Sequence, residues 1–374
     1  MIYLDYAANT PTDERVLQTF CDMNQSFFGN PNAHHSLGFA ANEKMEQITD
    51  NIAKLLSVKA NEIIYTSGAT EANNTAIKGI AKSSRHVGKH IISSFMEHSS
   101  VSGTLTFLQE QGYEIELVNI LPDGTIDLPD LMSLLREDTI LVTTCAVESE
   151  IGIQQPLKEI ADILKGYPNC KFHVDATQAI GKVPFDFSCG DTISFAPHKF
   201  FGLNGCGVLI KKENLVIDPL LHGGASTTIY RSGTPALAFA ASIEKALSIA
   251  KEEEKSRYQY VTELQDFLIE KLKQKAYIKI NNTNQSIPHF INISTIDIRA
   301  EQMQKRLDSH GVCISIKSAC SVANTPSRPV FAVTRDKKNA RRSFRISISH
   351  LTTKQEIETF LEILDLSYKE EKNL

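Results

Sequence analysis

The stretch KFHVDATQAIGKVPFDFSCGDTISFAPHK, Lys171–Lys199, decides the reading of the whole chain. It opens on a short run rich in β-branched and aromatic residues, Lys171–Asp175, that ends in an acid. It closes on a second such run, Thr192–Ala196, followed at once by His198-Lys199. Runs of this kind, bounded by Gly, Pro, Asp and Ser, read as buried strands. Outward from it the same pattern repeats. Glu62–Thr66, Lys89–Ser93, Glu114–Val118, Thr139–Thr143 and Gly207–Ile210 are strand-like, with helical periodicity between most of them. Strands alternating with helices imply βαβ units, so the expectation is an α/β fold with a mostly parallel seven-stranded sheet between helices.

The rest of the chain differs. Ala240–Leu272 reads as a long helix whose charged KEEEKSR stretch forms a solvated face or a bend. Beyond it, Ile278–Ile280, His289–Ile293, Val312–Ile316 and Phe344–Ile348 are short strands around a helix at Arg299–His310. A closing helix runs from Thr352 to Tyr368, with Thr353 as its cap. These features predict a smaller α+β C-terminal domain. The expected division is an N-terminal segment at 1–14 packing near the small domain, a large domain at 15–255 and the small domain at 256–374. Lys317–Arg342, rich in Ser, Pro and basic residues, reads as a long mobile loop.

Composition narrows the function classes. With 374 residues, 42% hydrophobic and 22% charged, the chain can bury a large core. Lys plus Arg is 39 against 44 for Asp plus Glu, a net charge of −5, which argues against a broad grip on nucleic acid. No apolar run reaches membrane-spanning length and the N-terminus lacks the order of a signal peptide. Seven cysteines without a CxxC pair fit a reducing cytoplasm better than a disulfide framework or a structural zinc site. The basic group Arg335, Lys337, Lys338, Arg341 and Arg342 reads as a solvated loop face, with an acidic acceptor protein or a tRNA-modifying partner as the alternative.

Three motifs carry chemistry in a fixed order. TSGATE, Thr66–Glu71, joins a strand to a helix at Ala69–Ala81 and is either a phosphate seat or a tight turn. HVDATQ places Asp175 at a strand end, as partner of a protonated ring nitrogen or as an N-cap. SFAPHK places Lys199 past another strand, as a Schiff-base amine or a surface residue. Taken jointly, they are what a pyridoxal 5'-phosphate (PLP) site requires: anchored phosphate, charged ring nitrogen, captured aldehyde. His98 in FMEHSS could stack on a flat ring and move protons. Arg231-Ser232-Gly233-Thr234 could donate to a phosphate. Cys320 in SACS could act as a thiolate, and Arg345 suits a carboxylate.

These motifs resemble the cysteine desulfurases of the NifS/IscS-like group, in the class V aminotransferase family of fold-type I PLP enzymes. The resemblance also includes the opening Tyr3–Ala8, Gly29-Asn30-Pro31 with His35 and Gly38, and the Ser343–Ser347 strand; it spans nearly the whole chain. It implies that Lys199 holds PLP, that His98 stacks on it and serves proton transfer, and that Asp175 and Gln178 contact its ring nitrogen and hydroxyl. It implies phosphate contacts from Ala69, Thr70 and His198, with Thr234 reaching the partner subunit's phosphate in a homodimer. Ser149 falls at a cofactor-touching position, Arg345 binds the L-cysteine carboxylate with Asn32 as a neighbour, and Cys320 takes the sulfur as a persulfide while alanine leaves. A sulfur-acceptor protein for iron–sulfur assembly or tRNA thiolation is implied, with no membrane or direct nucleic-acid partner. A selenocysteine lyase-like enzyme and a non-catalytic binding subunit are the alternative readings.

Several positions depart from the family pattern. Ala196 and Pro197 stand where a phosphate-binding serine is usual before the His-Lys pair, removing a charged hydrogen bond worth roughly 1.5–3 kcal/mol. Glu148 and Ser149 replace a pair of asparagines, Lys317 replaces a glycine, and Asn9 replaces a threonine.

Overall fold

The computed structural model describes residues 1–224, 226–317 and 325–373. Cys320 lies outside the described residues.

Seven strands form the central sheet: β1 (Ile63–Thr66), β2 (His90–Ser94), β3 (Glu114–Val118), β4 (Thr139–Cys145), β5 (Lys171–Asp175), β6 (Thr192–Phe195) and β7 (Gly207–Lys211). Their spatial order is β3-β2-β4-β5-β6-β7-β1. Only β7 among them runs antiparallel to its neighbours β1 and β6. The fold is thus α/β with a mostly parallel seven-stranded sheet, as the alternation of runs predicts.

Side chains alternate across a strand, and the two faces of this sheet belong to two cores. Ile64, Ile91 and Leu209 pack on one face with residues of helix α1 (Ala69–Ser83) and helix α2 (Ser99–Glu110). Ile63, Ile92, Val208 and Ile210 pack on the other, with Met45, Ile52, Ile160 and Ile243. Helices on both faces explain why β2, β4, β6 and β7 are buried along their full length.

Helix α3 (Leu237–Lys273) runs unbroken through the charged stretch. Ile243, Ala246 and Ala250 belong to the sheet core. Val261, Leu264, Leu268 and Leu272 belong to another core, which also holds Leu4, Met303, Phe344 and Phe360. The charged stretch is where the helix passes from one core to the other. There Glu253 accepts from Arg15 at 3.0 Å and from Arg257 at 2.6 Å. In the second body, β8 (Ile278–Ile280), β9 (Phe290–Thr295) and β10 (Ser343–Ser347) form an antiparallel sheet ordered β10-β9-β8. The N-terminus joins it, since Ile2–Tyr3 pairs in parallel with Val312–Cys313. The closing helix Lys354–Lys372 starts at Thr353, whose hydroxyl caps Glu356 N while Glu356 reaches back to Thr353 N.

The expectation of one long loop over Lys317–Arg342 needs correction. Two short helices, Arg328–Thr334 and Lys337–Ala340, occupy its second half. Ser327 caps the first through Val330 N and Pro329 sits in its first turn. Arg335 at φ 53° ends it, and Asp336 caps the next. The Ser, Pro and Asp that read as loop signals act here as helix starts.

Candidate active site

In open α/β sheets ligands bind beyond the carboxyl ends of the strands. At that edge here, the segments after β1, β2, β4, β5 and β6 supply Ser67–Glu71, His98, Ser149, Asp175 with Gln178, and His198-Lys199. All of them line one cavity of about 400 Å³, together with Ala7, Ala8, Cys145, Thr177 and Arg345.

The β1–α1 turn is built for close approach. Gly68 has φ +156°, and a Cβ on Gly207 would lie 2.6 Å from the Gly68 backbone. Glycine at both positions lets the turn fold against the start of β7. Among the described residues no side chain caps α1, so the amides of Ala69 and Thr70 at its N-terminus are available to an anion.

Asp175 ends β5 and is buried. Its Oδ1 accepts from Thr177 N at 3.0 Å and its Oδ2 from Asn73 Nδ2 at 2.8 Å. Asn73, on the buried face of α1, also donates to Ser100 Oγ at 2.8 Å and accepts from Ser194 Oγ. His173 Nε2 lies 3.0 Å from Asn73 Oδ1. Burial pushes the His173 pKa down to about 4, so the ring is neutral.

Lys199 follows β6 in a single tight turn, Pro197–Lys199. Its Nζ donates to the carbonyls of Ala8 at 2.5 Å and Ala7 at 3.1 Å. Beneath it Lys182 Nζ donates to Lys199 O at 2.9 Å. Burial, then the charges of Lys199 and Arg345, push the Lys182 pKa down to about 7. Burial, with Lys199 and Lys182 beside it, pushes His198 down to about 4. His98 is the N-cap of α2, and burial also lowers its pKa.

Arg345, on β10, reaches the cavity from the second body and is 2% exposed. Its Nη2 pairs with Asp5 Oδ1 at 2.7 Å and its Nη1 donates to the Ser149 carbonyl at 2.7 Å. Its Nε has no hydrogen-bond partner among the described residues.

The cavity suits PLP on its own terms. It offers an uncapped helix N-terminus for a phosphate, an acceptor-only carboxylate for a ring nitrogen and a lysine amine for an aldehyde. Gln178 Oε1 and Thr177 Oγ1 are buried on its wall without partners among the described residues. Buried polar atoms in that state are ready for a ligand's polar groups.

Of the residues expected from the sequence, Ala69, Thr70, His98, Ser149, Asp175, Gln178, His198, Lys199 and Arg345 meet here. Asn32 is exposed elsewhere, with its backbone N bonded to Asn30 Oδ1 at 3.0 Å. Thr234 lines a separate small cavity beside Met45 and Tyr65. Ala196 is fully buried and contributes no hydroxyl. Sequence reasoning missed Asn73, Ser100, Lys182 and Asp5. For Asn73 a signal existed: an amide among Ala72, Ala76, Ile77 and Ile80 on an apolar helix face.

A second cavity of about 610 Å³ adjoins the first and shares Met96, His98 and Ser149 with it. Its wall includes Lys317 and Thr325, which flank residues 318–324. Glu97 and Glu148 line it too; burial pushes each carboxyl up to about 8.

Fold and site together define a sheet-edge lysine enzyme of the PLP-binding kind. Residues 2–360 match the class-V aminotransferase family, and the chain belongs to it. It is 35% identical to a cysteine desulfurase IscS of Dictyoglomus turgidum, over 97% of this chain and 93% of that one. A NifS/IcsS protein homologue of Lactobacillus delbrueckii subsp. bulgaricus is 36% identical, over 99% and 97%. A solved structure titled NifS-like protein superposes with a TM-score of 0.92 at 31% identity, covering 98% of each chain.

Proposed function

We propose that this protein is a PLP-dependent cysteine desulfurase that converts L-cysteine to L-alanine and passes the sulfur to Cys320. The observation that carries this reading is the convergence of Lys199, Asp175, His98, the α1 N-terminus and Arg345 on one cavity. When bound, PLP supplies an electron sink for bond cleavage at the substrate. Lys199 Nζ would hold its aldehyde carbon, in reach of an incoming substrate amine. Asp175 keeps the ring nitrogen charged, and Gln178 meets the ring hydroxyl. The amides of Ala69 and Thr70, with His198, hold the phosphate. Arg345 takes the substrate carboxylate on its fork, steadied by Asp5 and the Ser149 carbonyl. His98 covers the ring face and holds a proton beside the reacting atoms.

Cys320 supplies the thiolate that attacks the substrate sulfur: the S–S bond of a persulfide forms as the substrate C–S bond breaks, and the electron pair of that bond stays with the carbon fragment, which is protonated and leaves as alanine. It lies three residues beyond Lys317, a chain reach of about 10 Å, and Lys317 stands on the wall of the adjoining cavity. An acceptor protein for iron–sulfur assembly or tRNA thiolation then collects the sulfur. The working form is a homodimer in which Thr234 serves the partner's phosphate. Phe28 (76% exposed), Phe39 (60%) and Ile229 (75%) are large apolar side chains that such an interface would cover.

The test is alanine formation from L-cysteine by the purified protein with a thiol reductant. The wild type is expected to form alanine and Cys320→Ala to form little. Lys199→Ala is expected to lose the visible absorption of lysine-bound cofactor. Alanine release unchanged in Cys320→Ala would overturn the sulfur-carrier assignment.

A further inference from the structure

The hydrogen bonds behind Asp175 determine more than the carboxylate's own position. Asp175 is acceptor-only when ionised, so the Asn73 amide must turn its Nδ2 toward Oδ2, at 2.8 Å. The other Nδ2 hydrogen then goes to Ser100 Oγ, also at 2.8 Å. Asn73 Oδ1 faces Ser194 Oγ and His173 Nε2, both of which can donate to it. Every polar atom of this buried amide is engaged, and turning it over would set its carbonyl against a carboxylate. Ser100 Oγ, accepting from Asn73, has its own proton left to give. At 2.9 Å stands His98 Nδ1, and Ser100 N lies 3.2 Å from the same nitrogen. Two donors converge on Nδ1, so a neutral His98 carries its proton on Nε2. That nitrogen makes no hydrogen bond to the described residues. The charged groups acting on the ring are Asp175 and Lys199.

We propose that Asp175, acting through Asn73 and Ser100, fixes His98 in the Nε2–H tautomer, so that the ring meets substrate as a hydrogen-bond donor and not as the base that takes its proton. Asn73 and Ser100 are positioning residues in this arrangement. A base at Nε2 would require the proton on Nδ1, where it would face a second donor, the Ser100 N–H, at 3.2 Å. The inference rests on the desulfurase reading for its consequence and on the hydrogen bonds alone for the tautomer.

Ring-15N-histidine labelling of the PLP-loaded protein, with two-bond 15N–1H correlation, reads the tautomer directly; a His98→Gln sample assigns the signals. The expected wild-type spectrum shows Nε2 protonated and Nδ1 bare at neutral pH. Asn73→Ala removes the donor that turns the Ser100 hydroxyl proton toward Nδ1, and is expected to shift the tautomer ratio toward Nδ1–H by about five-fold, the effect of one hydrogen bond. Ser100→Ala removes the hydroxyl donor and is expected to shift it the same way, the backbone N–H remaining as donor to Nδ1. Ser100→Thr is expected to restore the wild-type ratio. A wild-type ring protonated on Nδ1, or an unmoved ratio in both alanine variants, would overturn the proposal. Loss of the fold in Asn73→Ala leaves the wild-type spectrum and the Ser100 pair to decide it. No alanine from cysteine in the wild type would sink the desulfurase reading and leave the tautomer standing; alanine with the wrong tautomer would sink the assignment alone.

Discussion

Arg345 is a cation in a closed place, and its behaviour depends on Asp5. The two are 340 positions apart in sequence and 2.7 Å apart in space, and Ser315 Oγ holds the other Asp5 oxygen at 2.8 Å. Removing one partner of a buried ion pair leaves the other uncompensated and costs about 3–5 kcal/mol. Asp5→Ala is therefore expected to lower unfolding stability by an amount toward that range, read from urea denaturation at neutral pH. The same variant frees a second edge of the Arg345 fork. Arg345→Lys keeps the charge and loses the planar fork, so its defect is expected mainly in KM for cysteine, ten-fold or more, with kcat less affected. Equal loss in both variants and both parameters would show that Arg345 acts on structure alone. The sequence pointed to Arg345 because it sits in a strand-like run after the Cys320 loop and its fork suits a carboxylate. It gave no sign that Asp5 pairs with it, because nothing local ties position 5 to position 345. The same holds for Lys182, whose role depends on the turn that brings its Nζ beneath the Lys199 carbonyl.

Elements were legible where a periodic face met clear punctuation. The sheet strands read out because β-branched runs are followed by small or polar residues, as at Ser67-Gly68, Ser94 and Asp175. The second half of Lys317–Arg342 did not, because its helices are seven and four residues long, too short to show a period. Their existence rests on caps. Ser327 Oγ takes Val330 N at 3.1 Å and gives its own proton to Glu150 Oε2 at 2.6 Å. Ser327→Ala should cost about 1–2 kcal/mol, more than a plain cap, since it also removes one donor to a buried carboxyl. Helix Ser36–Leu56 tests the opposite case. It ends on Ser57 at φ 57° and ψ 41°, a left-handed conformation in which glycine has no Cβ to strain. Ser57 is exposed. Ser57→Gly is expected to raise stability by about 1 kcal/mol, and a lowered melting temperature would refute the strain.

At the scale of the whole molecule, helix α3 ties two cores together, and polar groups are buried around the joint between them. The sequence showed a change of pattern beyond Leu272 but not this joint, whose members come from separate parts of the chain. His289 shows the effect of such burial. It precedes β9, its Nδ1 has no partner among the described residues, and it lines a small cavity with Tyr6, Lys182, Arg257 and His350. Burial, with Lys182 and His350 beside it, pushes its pKa from 6.5 down to about 3. The sign of the consequence follows from proton counting. Between pH 6.5 and 3 the unfolded chain binds a proton at this ring and the folded chain does not, so stability falls as pH falls through that window. By pH 5 the unfolded ring has gained about 2 kcal/mol, 1.5 pH units at roughly 1.4 kcal/mol each. His173, held neutral inside the Asn73 network, adds to the slope in the same direction over pH 6.5 to about 4. His289→Leu removes one titrating ring and leaves the cavity apolar on that side. Urea unfolding at pH 7 and pH 5 should then show the difference between the two conditions shrinking by about 2 kcal/mol relative to the wild type. An undiminished difference would mean that His289 takes up its proton in the folded protein, and that the joint between the cores admits water and charge.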